Sequence, residues 1–119
     1  LYPEDVLTDR PERFFVAEMI REKLFLHLRQ ELPYATEVEI ETFEEAENLV
    51  RIAATIHVER QSQKGMIIGK RGAMLKRIGI EAREDIEVFL GQKAFLQLYV
   101  RVSEGWKDNQ QYLRGFGYE

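Results

Sequence analysis

The pattern that most restricts how this chain can fold lies between Gln63 and Ile78. Ile67 and Ile68 run into Gly69-Lys70-Arg71-Gly72, and an apolar stripe at helical spacing resumes at once with Leu75 and Ile78. Two glycines bracketing a basic pair break what would otherwise be one long helix, so two helices meet around a tight loop. The first is predicted from a cap at Ser62 to about Ile68. The second is predicted from about Ala73 to Leu90, burying Leu75, Ile78, Ala82, Ile86 and Phe89, with Gly91 as its stop. A loop without side chains at either end lets the backbone of another polymer come close. The helix behind it aims its unbonded amides at that point, and Lys70 and Arg71 add positive charge there. This combination reads as a clamp on a nucleic-acid sugar–phosphate chain.

Strand patterns flank the two helices. Val38 and Ile40 alternate with Glu37, Glu39 and Glu41 in a strand over Glu37–Phe43, one face dry and one wet. Val50, Ile52, Ala54, Ile56 and Val58 mark a second strand over Leu49–Val58, and the polar run Glu44–Asn48 between them predicts an antiparallel hairpin. A third strand over Ala94–Val102 turns Leu96, Leu98, Val100 and Val102 inward and Phe95, Gln97, Tyr99 and Arg101 outward. Before the sheet, Asp9 and Glu12 form a helix start, and Phe14, Ala17, Ile20 or Arg21, Leu24 and Leu28 repeat at helical spacing until Leu32-Pro33. A short helix around Trp106–Arg114 follows the third strand. The predicted order is α-β-β-α-α-β-α, an α+β fold with a three-stranded sheet and helices packed on one face. Residues 11–115 form the expected domain, with 1–10 read as a linker from a missing upstream domain and 116–119 as a C-terminal tail.

A chain of 119 residues can bury a core without metal or disulfide support, and the absence of cysteine excludes thiolate metal sites. No apolar run reaches the length of a membrane span and no signal-peptide pattern opens the chain. The net charge of −4 and the pI near 5.3 argue against a nucleic-acid ligand only as averages. Residues 1–59 carry a balance of −8, whereas residues 60–83 carry +6 from Arg60, Lys64, Lys70, Arg71, Lys76, Arg77 and Arg83 against Glu81. A phosphate responds to the local field, so the basic segment decides, and the acidic remainder keeps non-specific binding weak.

Enzyme readings fail on spacing. Gly65 and Gly69 enclose three residues where a phosphate-binding P-loop needs four, and Arg71 stands where Ser or Thr must bind magnesium. The two histidines, His27 and His57, read as surface residues of a helix and a strand, and Glu44, Glu45 and Glu47 as a solvated turn. No catalytic residue and no metal ligand emerges. A protein-interaction module stays open as the competing class, because Phe25, Phe95, Tyr99, Trp106, Tyr112 and Phe116 are candidate exposed aromatics.

The element order and the Gly69-Lys70-Arg71-Gly72 loop, flanked by Ile67-Ile68 and by Leu75 and Ile78, resemble a type II KH domain. Tyr2-Pro3-Glu4-Asp5, Glu31-Leu32-Pro33-Tyr34, His57-Val58-Glu59-Arg60, Ser62-Gln63-Lys64-Gly65 and Trp106-Lys107-Asp108 look like the C-terminal domain of the Era family of bacterial ribosome-assembly GTPases. Arg71 departs from that family's loop and keeps it basic. The resemblance implies a monomeric, cytoplasmic module that binds small-subunit ribosomal RNA near its 3′ end. GTP and magnesium would belong to the upstream GTPase domain, with no cofactor in this chain. Peripheral contact with the inner membrane, without a transmembrane segment, and binding of single-stranded DNA stay open. Phosphates would meet Gly69, Lys70, Arg71 and Gly72, with Lys64 and Lys76 beside them. Bases would turn toward Ile67, Ile68 and Leu75, and Gln97 could reach their edges. Ile67 and Ile68 would divide the work, one in the core and one facing the groove.

Overall fold

Three strands form one mixed sheet in the spatial order β1 (Glu37–Glu45), β2 (Leu49–Val58), β3 (Lys93–Val102). The structure is a computed structural model that describes residues 10–28 and 35–105. Three helices accompany the sheet, α1 (Arg10–His27), α2 (Gln61–Ile68) and α3 (Ala73–Leu90). The described order is α-β-β-α-α-β; the expected helix at Trp106–Arg114, the linker, the tail and Asp9 lie outside the described residues. The hairpin forms as predicted, β1 antiparallel to β2, with Ala46 N–H donating to the Leu49 carbonyl at 2.7 Å. β3 joins β2 in parallel, because α2 and α3 together carry the chain back to the other end of the sheet.

Strict alternation along β1 would put Phe43 on the same face as Glu39 and Glu41. A β-bulge between Ile40 and Thr42 corrects this: Ile40 lies opposite Ala54, yet Thr42 lies opposite Ala53 and Phe43 opposite Ile52. The extra residue, Glu41, is exposed, and Phe43 is buried on the same face as Val38. All five even positions of β2 are buried there too, under Val16, Ile20 and Leu24 of α1, Ile67 of α2, and Ile78, Ala82 and Ile86 of α3. Each fully buried aliphatic side chain contributes about 1.5–3 kcal/mol.

The helices depart from expectation in register rather than in place. The buried line of α1 is Val16, Ile20 and Leu24, spaced four apart, whereas Phe14 is 60% exposed. Helical spacing alone admits a line through Phe14 and Ala17, but the line through Ile20 and Leu24 that the sheet covers selects Val16. Phe89, expected in the core, is largely exposed and lies 5.6 Å from the Phe15 ring. Ser62 does not cap α2; the helix begins one residue earlier, and Gln63 Oε1 accepts the amides of Glu59 and Arg60 at 3.0 and 2.8 Å.

Both histidines are more enclosed than expected. His57 is 2% exposed, with Nε2 2.8 Å from Glu39 Oε1 and Nδ1 2.8 Å from Ser103 Oγ, which ties β1 and the end of β3 to β2. His27 is half-buried between α1 and α3, 2.7 Å from Glu81 Oε1. Polar partners on neighbouring elements, absent from any local pattern, make such burial tolerable.

Candidate nucleic-acid interface

The loop between α2 and α3 is a single turn of 3-10 helix, Lys70–Gly72. Gly69 closes α2 by donating to the Gly65 carbonyl at 2.9 Å, and then turns the chain at φ 76°, ψ −178°. No other residue fits there. A Cβ on Gly69 would lie 2.6 Å from Met74 Cβ and 2.9 Å from Met74 N, so glycine lets the first turn of α3 pack directly against the loop. Gly72 needs its freedom for conformation alone: φ is 77°, and a Cβ would meet nothing within 4 Å. Arg71 between them is also left-handed, at φ 57°, the one non-glycine in that region among the described residues. An arginine held in this conformation carries strain of order 1–3 kcal/mol, a pattern that clusters at binding sites.

The turn uses some of the amides that a helix N-terminus would otherwise offer. Gly72 N–H donates to the Gly69 carbonyl at 3.2 Å, and Ala73 N–H donates to the Lys70 carbonyl. More of the attraction for an anion therefore falls on the Lys70 and Arg71 side chains, both exposed. Among the described residues no carboxylate lies within ion-pair distance of Lys64, Lys70, Arg71 or Lys76.

The two arginines of α3 within the segment, Arg77 and Arg83, are engaged, and the packing of the helix explains how. Gly79 brings this helix against β3, where an added Cβ would lie 3.5 Å from Leu98 Cδ1. Lys76 and Arg83, three before and four after Gly79, share that side of the helix. The side facing α1 carries Glu81 and Asp85, paired at 2.7 Å with His27 and Lys23. Arg77 is drawn to Glu81 at 3.4 Å, and Arg83 to Glu87 at 3.1 Å. The hydrogen bond from His27, reinforced by Arg77, holds the Glu81 carboxyl below its usual range. The amide of Ala94, 2.9 Å away, does the same for Glu87 with help from Arg83. The hydrogen bond to Asp85 raises Lys23. The single acidic side chain inside the basic segment is thus tied toward α1.

The apolar candidates separate cleanly. Ile67 is fully buried and serves the core, while Ile68 and Leu75 keep accessible surface beside the loop. Lys64 is half-buried on α2 and Lys76 exposed on the first turns of α3. Met66, passed over in the sequence pattern, is 55% exposed on α2, and its place in an otherwise helical apolar run hid it. Gln97 is set apart from the loop. β3 alternates, so Leu96, Leu98 and Val100 pack toward the helices while Gln97 stands with Phe95, Tyr99 and Arg101 on the opposite face, which no described helix covers.

That opposite face also carries the one metal-capable cluster among the described residues. Ligand atoms of Glu39, Glu41 and His57 lie within 4.8 Å of one another. One oxygen of each carboxylate is engaged within the sheet: Glu39 Oε1 with His57, and Glu41 Oε2 with the Thr55 hydroxyl, each at 2.8 Å. No described helix is long and apolar enough to cross a membrane.

Residues 31–107 match the KH domain family. Along its length the chain is 58% identical to GTPase Era of Geotalea uraniireducens and 52% identical to GTPase Era of Stenotrophomonas maltophilia, covering 99% and 100% of this chain. It spans about 40% of the length of these curated relatives. Among solved structures, Aquifex aeolicus Era bound to GDP·AlF4− superimposes with a TM-score of 0.85 at 40% identity. Era in complex with MgGDPNP and nucleotides 1506–1542 of 16S ribosomal RNA gives a TM-score of 0.86, also at 40% identity. Each comparison covers 99% of this chain and 40% of the solved one.

Proposed function

Since the chain belongs to the KH domain family, we propose that it is the RNA-binding module of an Era-type GTPase and holds single-stranded ribosomal RNA on its Gly69–Gly72 loop. The observation that carries this reading is the loop itself. Two left-handed glycines and a left-handed arginine hold exposed, unpaired Lys70 and Arg71 forward of α3. The solved relative in complex with a 16S ribosomal RNA fragment supports RNA as the ligand class and the small subunit as the setting. The preference for sequence near the 3′ end, the cytoplasmic setting in ribosome assembly and the GTP- and magnesium-binding upstream domain belong to the same proposal.

Phosphates of one strand meet Lys70 and Arg71, with Lys64 and Lys76 on either side of the loop. The bases turn toward the accessible parts of Ile68 and Leu75. Beyond them runs β3, an edge strand whose only partner among the described residues is β2, so its open edge offers backbone groups to base edges. A duplex hides those base edges and binds poorly.

A fluorescence titration with short single-stranded RNA from the 3′ end of small-subunit ribosomal RNA tests this reading. Lys70→Asp combined with Arg71→Asp abolishes binding while the circular dichroism spectrum stays unchanged. A folded variant that still binds would remove the loop from the site. An unchanged affinity for same-sequence DNA would widen the ligand class to single-stranded nucleic acid in general.

A further inference from the structure

The sheet face that no described helix covers carries a second set of residues suited to a nucleic-acid strand. Phe95 and Tyr99 are 49% and 51% exposed there, with Gln97 between them and Arg101 after them. In the register of the sheet, Phe95 lies beside Arg51, Gln97 beside the small Ala53 and Tyr99 beside Thr55. The result is a shallow strip with an aromatic ring toward each end, an exposed arginine near each ring and an amide in the middle. We propose that this strip is a second contact for the RNA strand held by the Gly69–Gly72 loop, with Phe95 and Tyr99 stacking on bases and Arg51 and Arg101 meeting phosphates. The proposal rests on the RNA-clamp reading above.

Three features favour RNA over a protein on this face. The rings are four residues apart, about 13 Å along a strand, and separated by Gln97, so they do not form the continuous apolar centre a protein interface needs. Isolated rings with neighbouring guanidinium groups are what single strands use, since every base has a face to stack and every phosphate a charge to meet. The strip is also continuous with the first site. Among the described residues β3 forms the edge between the groove and this face, so a strand lying along that edge reaches the rings by turning round β3 alone. On the far side, Glu39 and Glu41 of β1 repel phosphate and confine the path to β3 and β2, while Glu44 lies opposite Arg51.

The test compares labelled RNAs of two lengths by fluorescence anisotropy, using the whole chain. One has about four nucleotides, enough for the loop alone, and the other about twelve, enough to continue over β3. Replacing Phe95→Ala and Tyr99→Ala together lowers affinity for the longer RNA at least about tenfold and leaves the shorter one unchanged. Restoring one ring by pairing Phe95→Ala with Tyr99→Phe recovers part of the loss, because stacking needs the ring and not the hydroxyl. An unchanged affinity for the longer RNA overturns the proposal and leaves the rings to a protein partner. Equal losses on both lengths also overturn it, since the substitutions would then act through β3 on the loop. The clamp is judged separately: if Lys70→Asp with Arg71→Asp fails to weaken the shorter RNA, the clamp reading falls, whatever the ring variants do.

Discussion

At the scale of single residues the two loop glycines have different jobs. Gly69 combines a left-handed φ with direct contact between its own backbone and Met74, whereas Gly72 has the φ and open space beyond it. A methyl group on Gly72 therefore adds a conformational cost of roughly 1–2 kcal/mol and no collision. The same methyl on Gly69 also drives the first turn of α3 away from the loop, and the atoms it meets are backbone and Cβ, which cannot swing aside. Gly69→Ala is expected to lower the urea midpoint clearly more than Gly72→Ala, each with an unchanged slope against denaturant. Equal effects would mean that conformation alone sets the cost. In RNA titrations Gly69→Ala loses affinity beyond its loss of stability, because the lost contact with Met74 frees the loop that carries Lys70 and Arg71.

At the scale of elements, α3 is divided between two tasks: one side packs on β3 through Gly79 and the other meets α1 through Glu81 and Asp85. Its ion pairs give the fold a particular acid response. Glu81 and Glu87 titrate below their usual range in the folded chain, so each stabilises the fold above the unfolded glutamate value, near pH 4.3, and loses that contribution as pH falls through the lowered value. Glu87→Gln is expected to be less stable than the parent at pH 7, and the gap is expected to narrow toward pH 3. Thermal melts of both proteins across that range check it; a gap independent of pH would assign Glu87 a role by packing alone. Among the described residues, the placement of strands and helices and the inward faces of β2 and β3 were legible from local periods of 2 or 3.6 residues, and the hairpin and loop from the polar and glycine residues between them. What was not legible depends on partners distant in sequence. The bulge at Glu41 appears only when β1 is laid on β2, and the burial of His57 depends on Glu39 and on Ser103. The exposure of Phe14 and Phe89 follows from which side of α1 and α3 the sheet claims. In the site, the loop was plain from composition, but the engagement of Arg77 and Arg83, the burial of Ile67 and the separation of Gln97 all required the packing of α3 and the pleat of β3.

For the whole molecule the question is how a chain of net charge −4 holds a polyanion. Within the basic segment Lys70 and Arg71 stand unpaired at one loop, whereas among the described residues the acidic surplus sits on β1 and the β1–β2 turn, which carry six glutamates and no Lys or Arg. At physiological ionic strength a charge is felt over about 8 Å, so a phosphate on the loop senses Lys70 and Arg71 at full strength and the acidic turn hardly at all. At low salt the range lengthens and the acidic surplus repels any nucleic acid that approaches. The two groups of charge are therefore separable by salt. Replacing Glu45 and Glu47, both exposed, with Gln brings the net charge to −2. This variant is expected to bind single- and double-stranded RNA more tightly than the parent at about 10 mM salt and indistinguishably at about 150 mM, as the screening length shortens from about 30 to 8 Å. Lys70→Gln with Arg71→Asn behaves in the opposite way. Its deficit is largest for single strands and persists at physiological salt, and each lost phosphate contact flattens the slope of log affinity on log salt by roughly 0.7. If the acidic-turn variant kept its advantage at physiological salt, those glutamates would lie close to the bound strand, and the path along the loop and β3 would have to be redrawn.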